Sequence, residues 1–325
     1  MGANGSILVG DVGGTHARFA IVDASGDAPW RVRQRQDLEQ NFPTFSAALH
    51  SYFERASVEA PAAAAIAVAG PVTAGTASFT NRGWHISEAE LKEFGFRQAL
   101  LINDFAALAF AVDVLEDQDL RSIGPELRGL AQGTISILGA GTGFGVSCLA
   151  RYGDRIVPMA TEGGHMGFAP GNQQELAVLN AMWKQFGRVS IERILSGPGL
   201  ENLYRTLEQL GGREAASLTA AQIVAKASSD EPHCRAALTM FCAIYGAVAG
   251  DVALAHGAQG GVYVAGGIAQ KIEGFLAQSA FRARFESKGR LSAYVAAVPT
   301  KLIVNGDAAL LGAARAGAIL SSAAR

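Results

Sequence analysis

Six polar side chains in this 325-residue chain stand beside glycines or helix starts: Asn81, Asn103, Asp104, Glu162, His165 and Glu192. They are carboxylates, amides and one imidazole, a set that donates to and accepts from adjacent hydroxyl groups. A sugar offers that alternation. Asp104 is the strongest catalytic candidate. It follows the apolar run Leu100-Leu101-Ile102 and opens a helical stretch from Phe105 to Val112. Strand-to-helix junctions of this kind are frequent ligand sites in α/β proteins. A helix cap is the plainer role for an aspartate there. Asn81, in Thr80-Asn81-Arg82-Gly83-Trp84, is equally a turn residue. Glu192, two residues after the cap candidate Ser190, is equally a first-turn acid favoured by the helix dipole. Glu162-Gly163-Gly164-His165 has two metal-binding residue types but no further ligands clustered nearby, and zinc takes four. Its glycines suit a tight loop aiming both side chains at a small polar ligand.

Two glycine-rich turns supply a second kind of chemistry. Gly10-Asp11-Val12-Gly13-Gly14-Thr15 lies between Ile7-Leu8-Val9 and Ala17-Arg18-Phe19-Ala20-Ile21-Val22. Gly139-Ala140-Gly141-Thr142-Gly143 lies between Ile135-Ser136-Ile137-Leu138 and Phe144-Gly145-Val146. Glycine permits close backbone approach, so such a turn can point several N–H groups at one anion. The hydroxyls of Thr15 and Thr142 add donors. Either turn alone is an ordinary hairpin; two in separate parts of the chain suggest two halves gripping one polyphosphate. Neither precedes the Gly-Lys-Ser/Thr of a P-loop. The stretch after the first reads as a returning strand, not the helix a dinucleotide fingerprint needs. Asp11 is an anion within an anion-binding turn, which makes sense with a divalent cation between carboxylate and phosphate. Gly266-Gly267 is either a plain helix start or an opening for a flat adenine ring. Phosphate turns, a hydroxyl-reading set and one aspartate imply phosphoryl transfer from a nucleotide to a sugar.

The elements that must hold these residues alternate along the chain. Hairpins are expected over 7–22 and 135–149, and strands at Ala63–Val68, within 76–86, at 100–102, 262–265 and 302–304. Helices are expected over about 43–57, from Ser87 to Phe94, over 105–112, 175–186, 234–256 and 308–321. Ser190 is expected to cap a helix that stops at Gly197-Pro198-Gly199, and Leu200, Leu203, Leu207 and Leu210 stripe the next one. Gly246 and Gly250, four apart, suit a helix packed closely on a neighbour. The pattern is α/β, with sheets covered by helices and a break near 112–125, where Asp and Glu cluster.

Composition narrows the function classes. Apolar residues make up 49% and charged residues 17%, which marks a well-packed chain. The formal net charge of −2 leaves no electrostatic footprint for nucleic acid. Cys148, Cys234 and Cys242 are too scattered for a disulfide framework and fit a reducing cytosol; Cys148 reads as a core residue. Met1-Gly2-Ala3-Asn4-Gly5-Ser6 matches a myristoylation pattern with no polybasic support, so a short arm is expected. No secretory signal is expected. The apolar stretch 241–256 is interrupted by Asp251 and falls short of the ~20 residues a membrane span needs.

Taken together, Gly10 to Thr15, Leu101-Ile102-Asn103-Asp104-Phe105, Gly139 to Gly143, Glu162-Gly163-Gly164-His165, Leu195-Ser196-Gly197-Pro198-Gly199 and Ala265-Gly266-Gly267-Ile268 form a specific set. The chain resembles the bacterial-type ATP-dependent glucokinases of the hexokinase and actin-like ATPase superfamily, from Leu8 to about Gly317. The resemblance implies a two-domain actin-like ATPase (ribonuclease H-like) α/β fold with a central interdomain cleft. A small N-terminal domain over 1–114 would be completed by a C-terminal helix at about 305–325, with a large domain over 115–304. The implied activity is ATP-dependent phosphorylation of D-glucose at the 6-hydroxyl, giving glucose 6-phosphate and ADP, the first step of glycolysis. By the same resemblance Asp104 is the general base, and Asn81, Asn103, Asp104, Glu162, His165 and Glu192 contact the sugar. Gly10, Asp11, Val12, Gly13, Gly14 and Thr15 form the first phosphate loop, and Gly139, Gly141, Thr142 and Gly143 the second. Gly266 and Gly267 lie by the adenosine, and Asp11 holds magnesium through water. A cytoplasmic homodimer with no nucleic-acid or membrane partner is implied. Zinc is not expected, because Met166-Gly167-Phe168-Ala169-Pro170 lacks the cysteines that follow the histidine in the related repressor and sugar-kinase group. His16 stands where many relatives carry asparagine, which touches only the local contact. Three alternatives are a kinase for another hexose or N-acetylhexosamine, a sugar-responsive regulator and an actin-like ATPase. The regulator needs a DNA-binding domain before the first strand, where only about six residues stand. The sugar-type polar set argues against the ATPase.

Overall fold

A computed structural model describes residues 5–13, 17–24, 30–38, 42–79, 83–153 and 155–323. The chain forms two separately packed units: residues up to Glu116 together with those from Asn305 onward, and Asp117–Val304. The first part of the chain runs β1 (Ser6–Val12), β2 (Ala17–Asp23), β3 (Arg31–Leu38), α1 (Phe45–Ala56) and β4 (Ala63–Val68). A small ribbon of β5 (Thr76–Ser78) and β6 (His85–Ser87) follows, then α2 (Glu88–Phe94), β7 (Gln98–Asn103) and α3 (Asp104–Ala111). The second unit holds β8 (Leu120–Ser122), β9 (Ile135–Ala140), β10 (Phe144–Tyr152), β11 (Arg155–Thr161), α4 (Gln173–Phe186) and α5 (Gly197–Leu210). It continues through α6 (Ala220–Ser228), α7 (Pro232–His256), β12 (Gly261–Ala265), α8 (Gly267–Lys271), α9 (Glu273–Gln278), α10 (Phe281–Glu286), α11 (Ser292–Ala296) and β13 (Thr300–Ile303). The last helix, α12 (Ala308–Ala323), belongs to the first unit.

The two large sheets share one scheme. The first has the order β3-β2-β1-β4-β7 and the second β11-β10-β9-β12-β13-β8. In each, three antiparallel strands are followed by two parallel ones, with β8 added antiparallel at the edge of the second. The parallel register brings Val12, Val68 and Asn103 side by side. The carboxyl ends of β1, β4 and β7 are therefore level, the end where open α/β sheets bind ligands.

Period-two alternation sorts the first sheet between its two faces. Leu8, Phe19, Ile66 and Leu101 pack with Leu49 and Tyr52 of α1. Ile7, Val9, Ala65 and Ala67 pack with Leu310, Ala313 and Ala314 of α12. The core of the second unit surrounds α7, whose Phe241, Ile244, Tyr245 and Val248 join Phe281 and Phe285 of α10. A Cβ on Gly246 would lie 2.0 Å from the Phe281 carbonyl oxygen, and one on Gly250 2.4 Å from that of Phe285. Close helix packing is thus the reason for both glycines.

Several elements depart from the sequence reading. β3 and β11 were not expected, because both are edge strands whose exposed residues blur any apolar alternation. Ser190 caps only a short turn, Ile191–Arg193. Gly197-Pro198-Gly199 starts α5 instead of stopping a helix: Ser196 Oγ accepts from the Gly199 N–H at 2.9 Å. Proline suits a first helical turn, where its missing N–H has no partner to lose. α7 has 25 residues, so it is long and apolar enough to cross a membrane, contrary to the shorter stretch expected. That window is 72% buried within the protein, the mark of a core helix.

Candidate active site

Of the candidates, Asn81, Gly14, Thr15 and the unusual His16 lie outside the described residues. In the first unit the β7–α3 junction is built around Asn103, not Asp104, as the cap. Asn103 Oδ1 accepts from the N–H groups of Phe105 (3.0 Å) and Ala106 (3.1 Å). Its Nδ2 donates to the Gly70 carbonyl at 3.1 Å and to Asp104 Oδ1 at 3.0 Å. Asp104 is the first helical residue, and its Oδ1 also accepts from the Phe105 N–H at 2.9 Å. Oδ2 takes part in none of these bonds. Burial pushes the Asp104 carboxyl up to about 7, and the negative charge of Asp11 adds to the rise. The Phe105 N–H pulls the other way. The side chain keeps partial exposure, so a solvent-borne group can reach it.

Asp11 faces Arg18 across the β1–β2 ladder. Asp11 Oδ2 is ion-paired with Arg18 Nη2, and Arg18 Nη1 donates to the Gly306 carbonyl at 3.0 Å. Gly10 and Val12 lie inside β1 rather than in its turn. A Cβ on Gly10 would meet Ile66 at 2.9 Å and the Phe19 ring at 3.1 Å, so core packing explains that glycine. Gly13 follows the strand.

In the second unit the candidate residues converge on Phe144, at the start of β10. Glu192 Oε2 accepts from the Phe144 N–H at 2.9 Å. A Cβ on Gly143 would lie 2.5 Å from that same oxygen, so glycine leaves room for the carboxylate. Glu192 is therefore more than a first-turn acid. The Glu162–His165 loop sits on the same strand: a Cβ on Gly164 would lie 1.9 Å from the Phe144 carbonyl oxygen and one on Gly163 2.8 Å from Val146. Glu162 and His165 are exposed, with Oε2 and Nε2 4.0 Å apart. The Ile191 N–H donates to the Met166 carbonyl at 2.9 Å, joining this loop to the turn that carries Glu192.

The second glycine-rich turn and the proposed adenosine glycines also meet. Ala265 pairs with Gly139 in the parallel ladder. Gly266 has φ +90°, and a Cβ there would lie 2.4 Å from the Ala140 carbonyl oxygen; Gly267 faces open space. The Gly141 N–H donates to the Gly143 carbonyl and the Gly141 carbonyl accepts from the Gly197 N–H, both at 2.8 Å. The turn is thus braced by the start of α5, and the Gly141 N–H is already engaged. The sequence reading missed Arg18, Ser196 and the brace at Gly197. Two of them left a signal: Arg18 falls opposite Asp11 in the ladder, and Ser196 stands just ahead of a proline that suits a first helical turn.

Among the described residues no group of three or more His, Cys, Asp or Glu side chains could hold a metal ion. Magnesium asks for less: one or two carboxylates, the rest being water and phosphate oxygens. Asp11 supplies one such carboxylate, paired through Oδ2 with Arg18, and its charge adds to the rise at Asp104.

The glucokinase family model matches residues 8–319. A glucokinase of Caulobacter sp. strain K31 is 46% identical over 308 residues, 94% of this chain and 93% of its own. One from Stenotrophomonas maltophilia strain K279a is 39% identical over 322 residues, 97% and 96% of the two chains. A crystal structure of a glucokinase from an Antarctic psychrotroph matches with a TM-score of 0.88 at 36% identity, covering 97% of this chain and 99% of that one.

Proposed function

The chain belongs to the glucokinase family, sugar kinases that transfer phosphate to glucose, and from that premise we propose that Asp104 takes the proton of the sugar 6-hydroxyl. ATP is the phosphoryl donor. The observation that carries the assignment is the environment of Asp104. Asn103 Nδ2 and the Phe105 N–H both donate to Oδ1, which fixes how the carboxylate is turned at the end of β7. A carboxyl raised to about 7 is matched as a base to neutral pH. Asn103 aims it and is itself held by the α3 N–H groups.

Little covalent chemistry falls on a protein in phosphoryl transfer; positioning and charge neutralisation dominate. Asn81, Asn103 and Asp104 in the first unit, and Glu162, His165 and Glu192 in the second, are the proposed glucose ligands. The proposed phosphate contacts lie in Gly10–Thr15, which begins inside β1, and in Gly139–Gly143, which begins inside β9, with Thr142 the better donor since the Gly141 N–H is engaged. Gly267, with open space beside it, is proposed to admit the adenosine with Gly266. Magnesium, when bound, would neutralise charge on the transferred group, and Asp11 would hold it through water. The magnesium requirement, a homodimer and a cytoplasmic location are supported by the family likeness.

The test is ATP consumption with glucose, fructose, mannose and N-acetylglucosamine, for the wild type and Asp104→Asn. Glucose is expected to give the highest kcat/KM. The variant is expected to lose about 10²–10⁴ in kcat while still binding glucose by calorimetry. Near-normal turnover by Asp104→Asn would remove the base; preference for another hexose would change the substrate.

A further inference from the structure

We propose that Arg18 is a positioning residue of the phosphoryl transfer, fixing the Asp11 carboxylate to the main chain at Gly306. The proposal rests on the reading of Asp11 as the magnesium-holding carboxylate. Three observations carry it. Asp11 and Arg18 are direct partners in the β1–β2 ladder, so the ion pair is built into the hairpin that carries the first phosphate turn. The second terminal nitrogen of Arg18 does not wait for a ligand; it donates to the Gly306 carbonyl at 3.0 Å. Gly306 lies in the short segment where the chain, having left the second unit at Val304, re-enters the first and starts α12.

A neighbouring contact strengthens the link. Arg35 of β3 pairs with Asp307 at 2.7 Å and with Asp37 at 3.0 Å. Two arginines from adjacent strands thus hold Gly306 and Asp307. Arg35 serves that segment without touching Asp11, whereas Arg18 holds both. A planar guanidinium can hold a carboxylate with one nitrogen and a carbonyl with the other. A lysine ammonium is a single point charge, so both acceptors would have to converge on one nitrogen, as Ala247 and Asp251 do on Lys288 Nζ, whereas Arg18 holds Asp11 and Gly306 with two separate nitrogens. Arg18 therefore sets where the Asp11 carboxylate stands, and so where a cation between it and a phosphate would stand.

The test compares the wild type with Arg18→Lys and Arg18→Gln. Titration calorimetry measures ADP binding with and without magnesium, beside kcat and KM for glucose. Magnesium is expected to tighten ADP binding to the wild type. In both variants that gain is expected to shrink at least about tenfold, with ADP affinity in the absence of magnesium unchanged. Turnover is expected to fall about 10–10²-fold, as for a misplaced reacting group, with KM for glucose within about twofold. Should Arg18→Gln fail to fold, Arg18→Lys decides, because it keeps the charge on β2. A full magnesium gain and normal kcat in Arg18→Lys would overturn the assignment. So would a uniform loss of thermal stability and of all affinities with the magnesium gain intact. A wild type that phosphorylates no glucose, or gains nothing from magnesium, would instead overturn the underlying reading and the assignment with it.

Discussion

Asp104 sets folding against chemistry. In the unfolded chain such a carboxyl titrates near 3.8, and in the folded protein at about 7. Between those values the folded state holds a proton that the unfolded state has lost. Stability from this group is therefore complete below about pH 4 and declines as pH rises toward 7. The proposed role as base runs the other way, because a base must be ionised: under that proposal kcat/KM is expected to rise with pH through an inflection near 7. Asp104→Asn removes the ionisation. Its melting temperature is expected to exceed the wild-type value at about pH 8 and to match it at about pH 4, by scanning calorimetry. Equal pH dependence in the two proteins would show that Asp104 ionises without penalty.

At the scale of elements, the glycines serve packing as often as ligands. Gly163 and Gly164 let a loop lie flat on β10, Gly143 makes room for Glu192, and Gly10 for Ile66 and Phe19. Gly246 and Gly250 let α10 lie close against α7. Gly246→Ala would place a methyl 2.0 Å from the Phe281 carbonyl oxygen, a main-chain atom that cannot swing aside. We expect a loss of about 1–3 kcal/mol in urea unfolding. Turnover per folded molecule should be unchanged, since neither helix supplies a proposed ligand. Unaltered stability would mean that the two helices separate without strain.

At the scale of the whole molecule, the last stretch of chain completes the first core. Leu310, Ala313 and Ala314 of α12 bury Ile7, Val9, Ala20 and Val22 on one face of the sheet. Ala63, Ala65 and Ala67 keep that face of β4 low, and a Cβ on Gly312 would lie 1.8 Å from the Ala107 carbonyl oxygen. Deleting residues 305–325 would expose this face and take Gly306 from Arg18 and Asp307 from Arg35. The truncated protein is expected to lose amide protection in β1 and β4 while β9, β12 and α7 keep theirs, by hydrogen exchange. Protection retained throughout would show that α12 is dispensable to the first core.

The features legible in the bare chain were local. Six consecutive apolar residues announced the buried β4, Ser87 announced the start of α2 by accepting from the Glu90 N–H, and glycines between apolar runs announced both hairpins. Each signal lies within a few residues of the element it specifies. Edge strands β3 and β11 lacked such a signal, since one exposed edge needs no regular apolar face. It took the folded chain to show that Asn103 caps α3 while Asp104 is its first residue, that Glu192 reaches the Phe144 N–H 48 positions back, and that Arg18 reaches Gly306 288 positions on. Contacts over such separations depend on which strands share a sheet and in what register, and no local pattern of residues encodes that.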